Sequence, residues 1–208
     1  MNNNVELIGY YGDDKTHACS AWTSTSRELS QDKITRIPKL LKMLASEGHH
    51  TPFEKSFLHF LVTTDIASHI HIIKHRIGVS VNGESARYKE ITEDKALIPQ
   101  DWPELWKEHL KAHTRKSFEL YHDCINSLVN DYNFDRKRAK ESARFFRTYN
   151  TQITADVSFN WRSFVHFLSL RNKPNAQLEI RQIAQQMLDC VKNIEANPFK
   201  YTIEAFDL

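Results

Sequence analysis

Residues 74–88 read Lys74-His75-Arg76-Ile77-Gly78-Val79-Ser80-Val81-Asn82-Gly83-Glu84-Ser85-Ala86-Arg87-Tyr88. Three cationic or titratable side chains lead, a run of small residues follows, and Ser85, Arg87 and Tyr88 close the stretch. Gly78 and Gly83 admit a close backbone approach or a positive φ. Arg76 and Arg87 carry planar forks that match a phosphate or carboxylate two bonds at a time. Such a loop suits a phosphorylated ligand held against backbone amides. The plainer alternative is an Arg-rich surface loop between two elements.

Working outward, Phe57–Thr64 is rich in Phe, Leu, Val and Thr and predicts a strand. Asp65 is a good N-cap for a helix with Ile66, Ile70 and Ile73 on one face, and the quoted stretch begins as that helix ends. Val5–Tyr11 is strand-like and stops at Gly12-Asp13-Asp14. Cys19–Arg27 is small and hydroxyl-rich, a helix start or a loop. Ile37, Leu40, Leu41 and Leu44 recur at helical spacing, with Gly48 as the stop. Residues 91–102 are irregular. Glu104–Asn130 is a long helical pattern with Leu110, Phe118, Tyr121, Ile125 and Leu128 toward the core. Asp135 opens a basic helix over Arg136–Tyr149, and Thr151–Asp156 reads as a break. Two further helices are marked by Trp161, Phe164, Val165 and Leu168, ending at Asn172-Lys173-Pro174-Asn175, and by Ile180, Ile183, Ala184, Met187, Leu188 and Val191. Ile203 and Phe206 finish a short terminal segment. The pattern predicts a helix-rich α+β protomer with few strands, organised as one domain over residues 1–208.

The composition excludes several classes. With 208 residues, 40% hydrophobic and 26% charged, the chain has the make-up of an ordinary globular domain. A net charge of +2 is too small for bulk nucleic-acid binding. No apolar run approaches the roughly 20 residues that span a membrane, and the first residues lack the basic-then-apolar layout of a secretory signal. The three cysteines, Cys19, Cys124 and Cys190, are odd in number and widely spaced, so a reducing cytoplasm is the expected compartment.

Three other stretches carry chemistry. Thr51-Pro52-Phe53-Glu54 precedes the quoted loop; alone, it is an ordinary Pro-led strand entry. In Asn160–Arg171, Arg162, His166 and Ser169 recur at four and three residues and share the helix face opposite the apolar stripe. Arg136, Lys137, Arg138, Lys140, Arg144 and Arg147 make the 135–147 stretch strongly basic, which on its own describes a solvated face or an RNA-binding strip. His69, His71 and His75 lack a completing Cys or carboxylate, so no metal site is expected. No cysteine sits in an activating cationic setting, which argues against thiol catalysis, and no Rossmann or P-loop signature occurs.

The quoted stretch resembles the signature of the flavin-dependent thymidylate synthases, R-H-R, a small-residue spacer and then S-x-R-Y. His75, Arg76, Ser85, Arg87 and Tyr88 match; Lys74 stands where Arg is usual, and the spacer is one residue longer. A matching T-P-F-E lies upstream at a similar distance, and Asn160, Arg162 and Arg171 fit the family's N-x-R-S…R pattern. The resemblance implies that family's fold, with a small, mostly antiparallel sheet. It implies reductive methylation of dUMP at C5, with 5,10-methylenetetrahydrofolate as carbon donor, reduced FAD as hydride source and NADPH as reductant. Thr51, Glu54, Lys74, His75, Arg76, Asn160, Arg162 and His166 would bind flavin, His166 standing where Asn is usual. His71, Lys74, Glu84, Ser85, Ala86, Arg87, Arg144 and Arg171 would bind substrate, with Arg87 and Arg144 on the phosphate and His71 where the family has Gln. Arg171 would stabilise charge on the uracil ring, and Ser85 would bind and polarise the substrate without attacking it. The family builds its sites between subunits of a homotetramer. Two alternatives stand beside this reading: a degenerate relative with poor turnover, and a phosphate- or RNA-binding protein using the basic helix.

Overall fold

Ala155, Val157 and Phe159 are buried at every second position, while Thr154 is half-buried and Asp156 exposed. That period of two is a strand signature, so the expected break at Thr151–Asp156 is instead the start of a strand. The computed structural model describes residues 2–26, 28–85, 87–92 and 94–208. Its strands are β1 (Asn4–Tyr11), β2 (Phe57–Asp65), β3 (Val79–Gly83) and β4 (Gln152–Asn160). They form a small antiparallel sheet in the order β1-β2-β4-β3. The helices are α1 (Asp14–Trp22), α2 (Gln31–Ser46), α3 (Ile66–Ile73), α4 (Glu104–Asn130), α5 (Arg136–Ala143), α6 (Trp161–Arg171), α7 (Leu178–Lys192) and α8 (Lys200–Ala205). Short 3-10 turns occupy Thr51–Lys55 and Arg144–Phe146. The helix-rich α+β expectation therefore holds.

The chain divides into two compact units. One comprises Thr63–Ile72 and Gly83–Ala155 with the N-terminal residues up to Asn3; the other comprises Asn4–Val62, Ile73–Asn82 and Asp156–Leu208.

The first unit is built on α4 and α5. Ala139 and Ala143, four residues apart on α5, are fully buried against Tyr121 and Ile125 of α4. Two small side chains on one stripe let the helix axes approach closely. The Asp135 side chain caps α5 by accepting from Arg138 N at 3.1 Å. The helix stops at Ala143, short of the expected Tyr149, and turns into Arg144–Phe146. The Phe146 carbonyl freed by this stop accepts the Ser117 hydroxyl at 2.5 Å, so the early end leaves that polar group satisfied. On α3, Asp65 caps Ser68 N at 2.8 Å as expected. The helix buries Ser68 and Ile72, and Ile73 is exposed, so the isoleucine stripe is not its deepest line.

The second unit holds the aromatic core: Phe53, Phe60, Phe159, Trp161, Phe164, Phe167 and Phe199 are all fully buried. Trp161 stacks on Phe199 with centroids 4.7 Å apart, and Phe60 stacks on Phe164 at 5.8 Å. Aromatic burial of this kind dominates a core's energetics. On α6 the inward line is Trp161, Phe164, Phe167 and Leu168. Val165, expected in that stripe, is only half-buried, and Phe167 takes the core position instead.

Candidate functional site

In the second unit a cavity of about 1030 Å³ is lined by residues of the quoted loop and by α6. Gly78 turns the loop with φ +65°, and a Cβ there would collide with the side chains of Asn160 and Ser163. The loop is fixed to the start of α6 by two bonds, and a third caps the helix itself. Ser163 Oγ donates to the Ile77 carbonyl at 2.7 Å, Asn160 N donates to the Gly78 carbonyl at 2.9 Å, and Asn160 Oδ1 caps the helix at Ser163 N at 2.8 Å.

Around this anchor stand Glu54, Lys74, His75, Arg76, Arg162, His166 and Arg171. Arg162 donates to Glu54 at 2.6 Å. Arg171 Nε donates to His75 Nε2 at 3.2 Å. Since a guanidinium never accepts, His75 presents a lone pair at Nε2 and its proton sits on Nδ1. The His75 ring also meets Phe167 edge-on at 5.1 Å and His166 at 5.9 Å. Four cations, one carboxylate and three imidazoles (His50, His75 and His166) line the same space as apolar Ile77, Val165, Leu170 and Phe206. That mixture fits a ligand with phosphate groups and a planar apolar ring system.

The first unit carries a smaller cavity of about 230 Å³, lined by Thr63, Glu84, Ser85, Lys89, Gln152 and Thr154 among others. Glu84 N donates to the Thr154 carbonyl at 2.9 Å, and Thr154 N donates back to Glu84 Oε2 at 2.8 Å. The carboxylate thus extends the strand pairing by one rung and leaves Oε1 to Lys89 at 3.0 Å. Ser85 Oγ accepts from Arg87 N at 3.3 Å, and its carbonyl accepts from Tyr88 and Lys89.

The expected residues sort accordingly. Glu54, Lys74, His75, Arg76, Asn160, Arg162, His166 and Arg171 share the larger cavity; Thr51 is exposed and does not line it. Glu84 and Ser85 share the smaller cavity. Arg87 and Arg144 are exposed, and His71 is half-buried in the last turn of α3. His69, not His71, lies with its ring against Gly83, and burial pushes its imidazole below the ordinary value. Ala86 lies outside the described residues. Among the described residues no group of three metal-binding side chains converges. Neither cavity is lined by a cysteine.

Sequence reasoning missed how the segment after Ser85 is held. Arg136 donates to Glu90 at 2.7 Å, Lys140 to the Tyr88 carbonyl at 3.3 Å, and Arg87 pairs with Glu141. Ile91 N donates to the Tyr121 hydroxyl at 3.1 Å. Asp94 takes Arg147 at 3.2 Å, whose guanidinium lies 3.6 Å over the Phe118 ring with its side chain only 2% exposed. Burial pushes that guanidinium below its ordinary value, with Asp94 opposing the shift. The basic helix, read as a solvated face, thus spends Arg136, Lys137, Lys140 and Glu141 on this loop, Lys137 through the Tyr88 ring at 5.7 Å.

The thymidylate synthase complementing protein family matches residues 6–195. The chain belongs to that family. The flavin-dependent thymidylate synthase of Pseudothermotoga lettingae is 30% identical over 201 residues, covering 91% of this chain and 85% of that protein. That of Rickettsia bellii is 30% identical over 233 residues, covering 98% and 75%. Among solved structures, the UMP/dUMP methylase PolB from Streptomyces cacaoi, bound with 5-Br dUMP, superposes with a TM-score of 0.75 at 27% identity, covering 99% of this chain and 95% of that one. The match to thymidylate synthase complementing proteins spans both units, since it begins in β1 and ends beyond α7.

Proposed function

We propose that this protein is a flavin-dependent thymidylate synthase that methylates dUMP at C5 to give dTMP. The observation that carries the reading is the convergence of Lys74, His75, Arg76, Asn160, Arg162, His166 and Arg171 on one large cavity. These residues come from two stretches that resemble the family's motifs, and the lining fits FAD: Lys74, Arg76 and Arg162 suit its pyrophosphate, and Ile77, Val165 and Leu170 suit its ring. Reduced FAD supplies a hydride when bound, with NADPH as reductant and 5,10-methylenetetrahydrofolate as carbon donor.

The chain's own residues bind and polarise. Arg171, its Nε held by His75, presents the rest of its fork to the negative charge that grows on a uracil ring. Arg87 and Arg144 bind the 5′-phosphate, with Ser85 and the backbone beside it, and Glu84 keeps that turn on β4. Ser85 has no general base beside it among the described residues, consistent with a binding role. Lys74 keeps the charge of an arginine without its fork. Residues 1–208 act as one catalytic domain in a cytoplasmic homotetramer with sites between subunits; no helix among the described residues is long and apolar enough to cross a membrane.

A second substrate is favoured by the solved neighbour, whose description as a UMP/dUMP methylase includes a ribonucleotide. The deciding experiment is anaerobic turnover of purified protein with FAD, NADPH and methylenetetrahydrofolate, offering dUMP or UMP and separating the nucleotides by chromatography. The reading expects a yellow protein whose flavin absorbance bleaches with NADPH and which forms dTMP. Formation of 5-methyl-UMP at a comparable rate would widen the substrate class to both sugars. A protein that takes up no flavin and methylates neither nucleotide would refute the reading.

A further inference from the structure

The α5 helix contains one acid, Glu141, among Arg136, Lys137, Arg138 and Lys140. Positions 136 and 140, and 137 and 141, are four apart, so these four side chains form a single stripe. Each touches the segment after Ser85: Arg136 through Glu90, Lys140 through the Tyr88 carbonyl, Lys137 through the Tyr88 ring, and Glu141 through Arg87. Glu141 is mostly buried, at 22% exposure, whereas Arg87 is half exposed. Glu141 Oε1 takes Arg87 Nε, and Arg138 approaches Glu141 Oε2 at 3.8 Å.

An arginine fork has two edges that accept an oxyanion, one formed by Nε with a terminal nitrogen and one by the two terminal nitrogens. With its Nε edge engaged, Arg87 offers the terminal pair, which has no hydrogen-bond partner among the described residues. A guanidinium already locked in one rotamer loses less entropy when a phosphate arrives than one sweeping through solvent. We propose that Glu141 is the positioning residue for nucleotide phosphate recognition, fixing Arg87 so that its outer edge meets the phosphate, with the rest of the α5 stripe clamping the loop that carries it. This rests on the reading of Arg87 as a phosphate ligand given above.

The test is a double-mutant cycle read by calorimetric binding of dUMP to the FAD-loaded protein, with kcat, KM and flavin content measured on the same samples. Glu141→Ala is expected to weaken dUMP binding about tenfold, to raise KM to match, and to leave kcat within about twofold and flavin content unchanged. Glu141→Gln, which keeps an acceptor, is expected to recover part of that loss, and it also serves if the alanine variant does not fold. In an Arg87→Ala background, the Glu141 substitution is expected to have no further effect, because its influence passes through the missing side chain. Losses that simply multiply in the double variant, or a fall in melting temperature with dUMP affinity intact, would mean a purely structural role and overturn the inference. A wild-type protein that binds no dUMP would overturn the proposed function itself, and this inference with it.

Discussion

Lowering the pH should destabilise this protein through one buried histidine. His17 is fully buried and bridges two hydroxyls, with Nδ1 2.9 Å from Thr202 Oγ1 and Nε2 2.7 Å from Ser56 Oγ. The direction of every bond in the chain follows from one member. Thr202 Oγ1 donates to Asp14 Oδ1 at 2.6 Å, so toward His17 it can only accept. His17 therefore carries its proton on Nδ1, and Nε2 accepts from Ser56. Burial pushes the imidazole down to about 4, with Asp13 opposing the shift slightly. A second proton would place a charge in the core and force the Ser56 hydroxyl to turn its hydrogen away.

The sign follows by linkage. The folded value lies below the unfolded 6.5, so the unfolded chain binds the proton first. Stability is complete above the unfolded value and is lost as pH falls from about 6.5 toward 4. Between pH 7 and 5 the loss is about 2 kcal/mol, at 1.36 kcal/mol per unit of difference, and it approaches about 3 kcal/mol in stronger acid. Asp14, raised above its ordinary value mainly by burial against the hydrogen bonds that lower it, works in the opposite direction nearer the carboxylate range. The upper window is therefore where His17 is read. Urea unfolding at pH 7, 6 and 5 on wild type and His17→Gln isolates the effect from the other ten histidines, because only the difference between the two proteins is used. The variant is expected to be weaker at pH 7 and flatter across the series. Parallel pH profiles, or a ring-nitrogen NMR signal showing His17 charged at pH 5, would refute the reasoning.

Gly78→Ala should cost about 1–2 kcal/mol in stability from the positive φ alone, and more from the collision with Asn160 and Ser163. Urea unfolding and flavin retention on gel filtration are expected to fall together. Arg171→Lys keeps a charge but loses the Nε donor to His75; kcat should drop at least about tenfold, and turnover at the wild-type rate would remove Arg171 from the chemistry. Replacing Cys19, Cys124 and Cys190 together by Ala should leave methylation largely intact. None lines either cavity, and burial raises the Cys190 thiol, making it a poorer nucleophile; loss of turnover in a protein that still binds flavin would point to a thiol step.

The long amphipathic elements were legible because period alone specifies them. The pattern over Glu104–Asn130 matches the bounds of α4, and the Asp65 cap and the Gly48 stop fall where the residue types place them. What misled was the strand pair behind the loop. Val79 and Val81 are too few to announce β3, and Gln152–Asn160 mixes Thr, Asp and Ser into its alternation. Their signal is the repeat of two at Ala155, Val157 and Phe159, hidden by the polar residues between. The α5 stop at Ala143 has no periodic signature, and the Phe146 carbonyl beyond it is met by Ser117 from another helix, a contact no local pattern announces.

The same division separates the two groups of candidate residues. The grouping of residues around the larger cavity was legible because they stand at helical spacing on α6 and in one dense loop, where local geometry fixes who shares a face. The partners of Arg87 were not, since Glu141 lies 54 positions away in sequence (141 minus 87), and nothing in a helix of mixed charge marks one carboxylate as facing inward. A charge run looks solvated because charge is normally cheapest in water. On α5 the opposing chain brings Glu90, a backbone carbonyl and an aromatic face to meet it. An irregular segment lacks a strand or helix ladder, so polar groups not paired in local turns are left to side chains or water. Residues 87–92 are turns and irregular backbone, and α5 meets this segment with the long side chains of Arg136, Lys137 and Lys140. The basic character of α5 thus matches what this segment presents to it, a carboxylate, a carbonyl and an aromatic face.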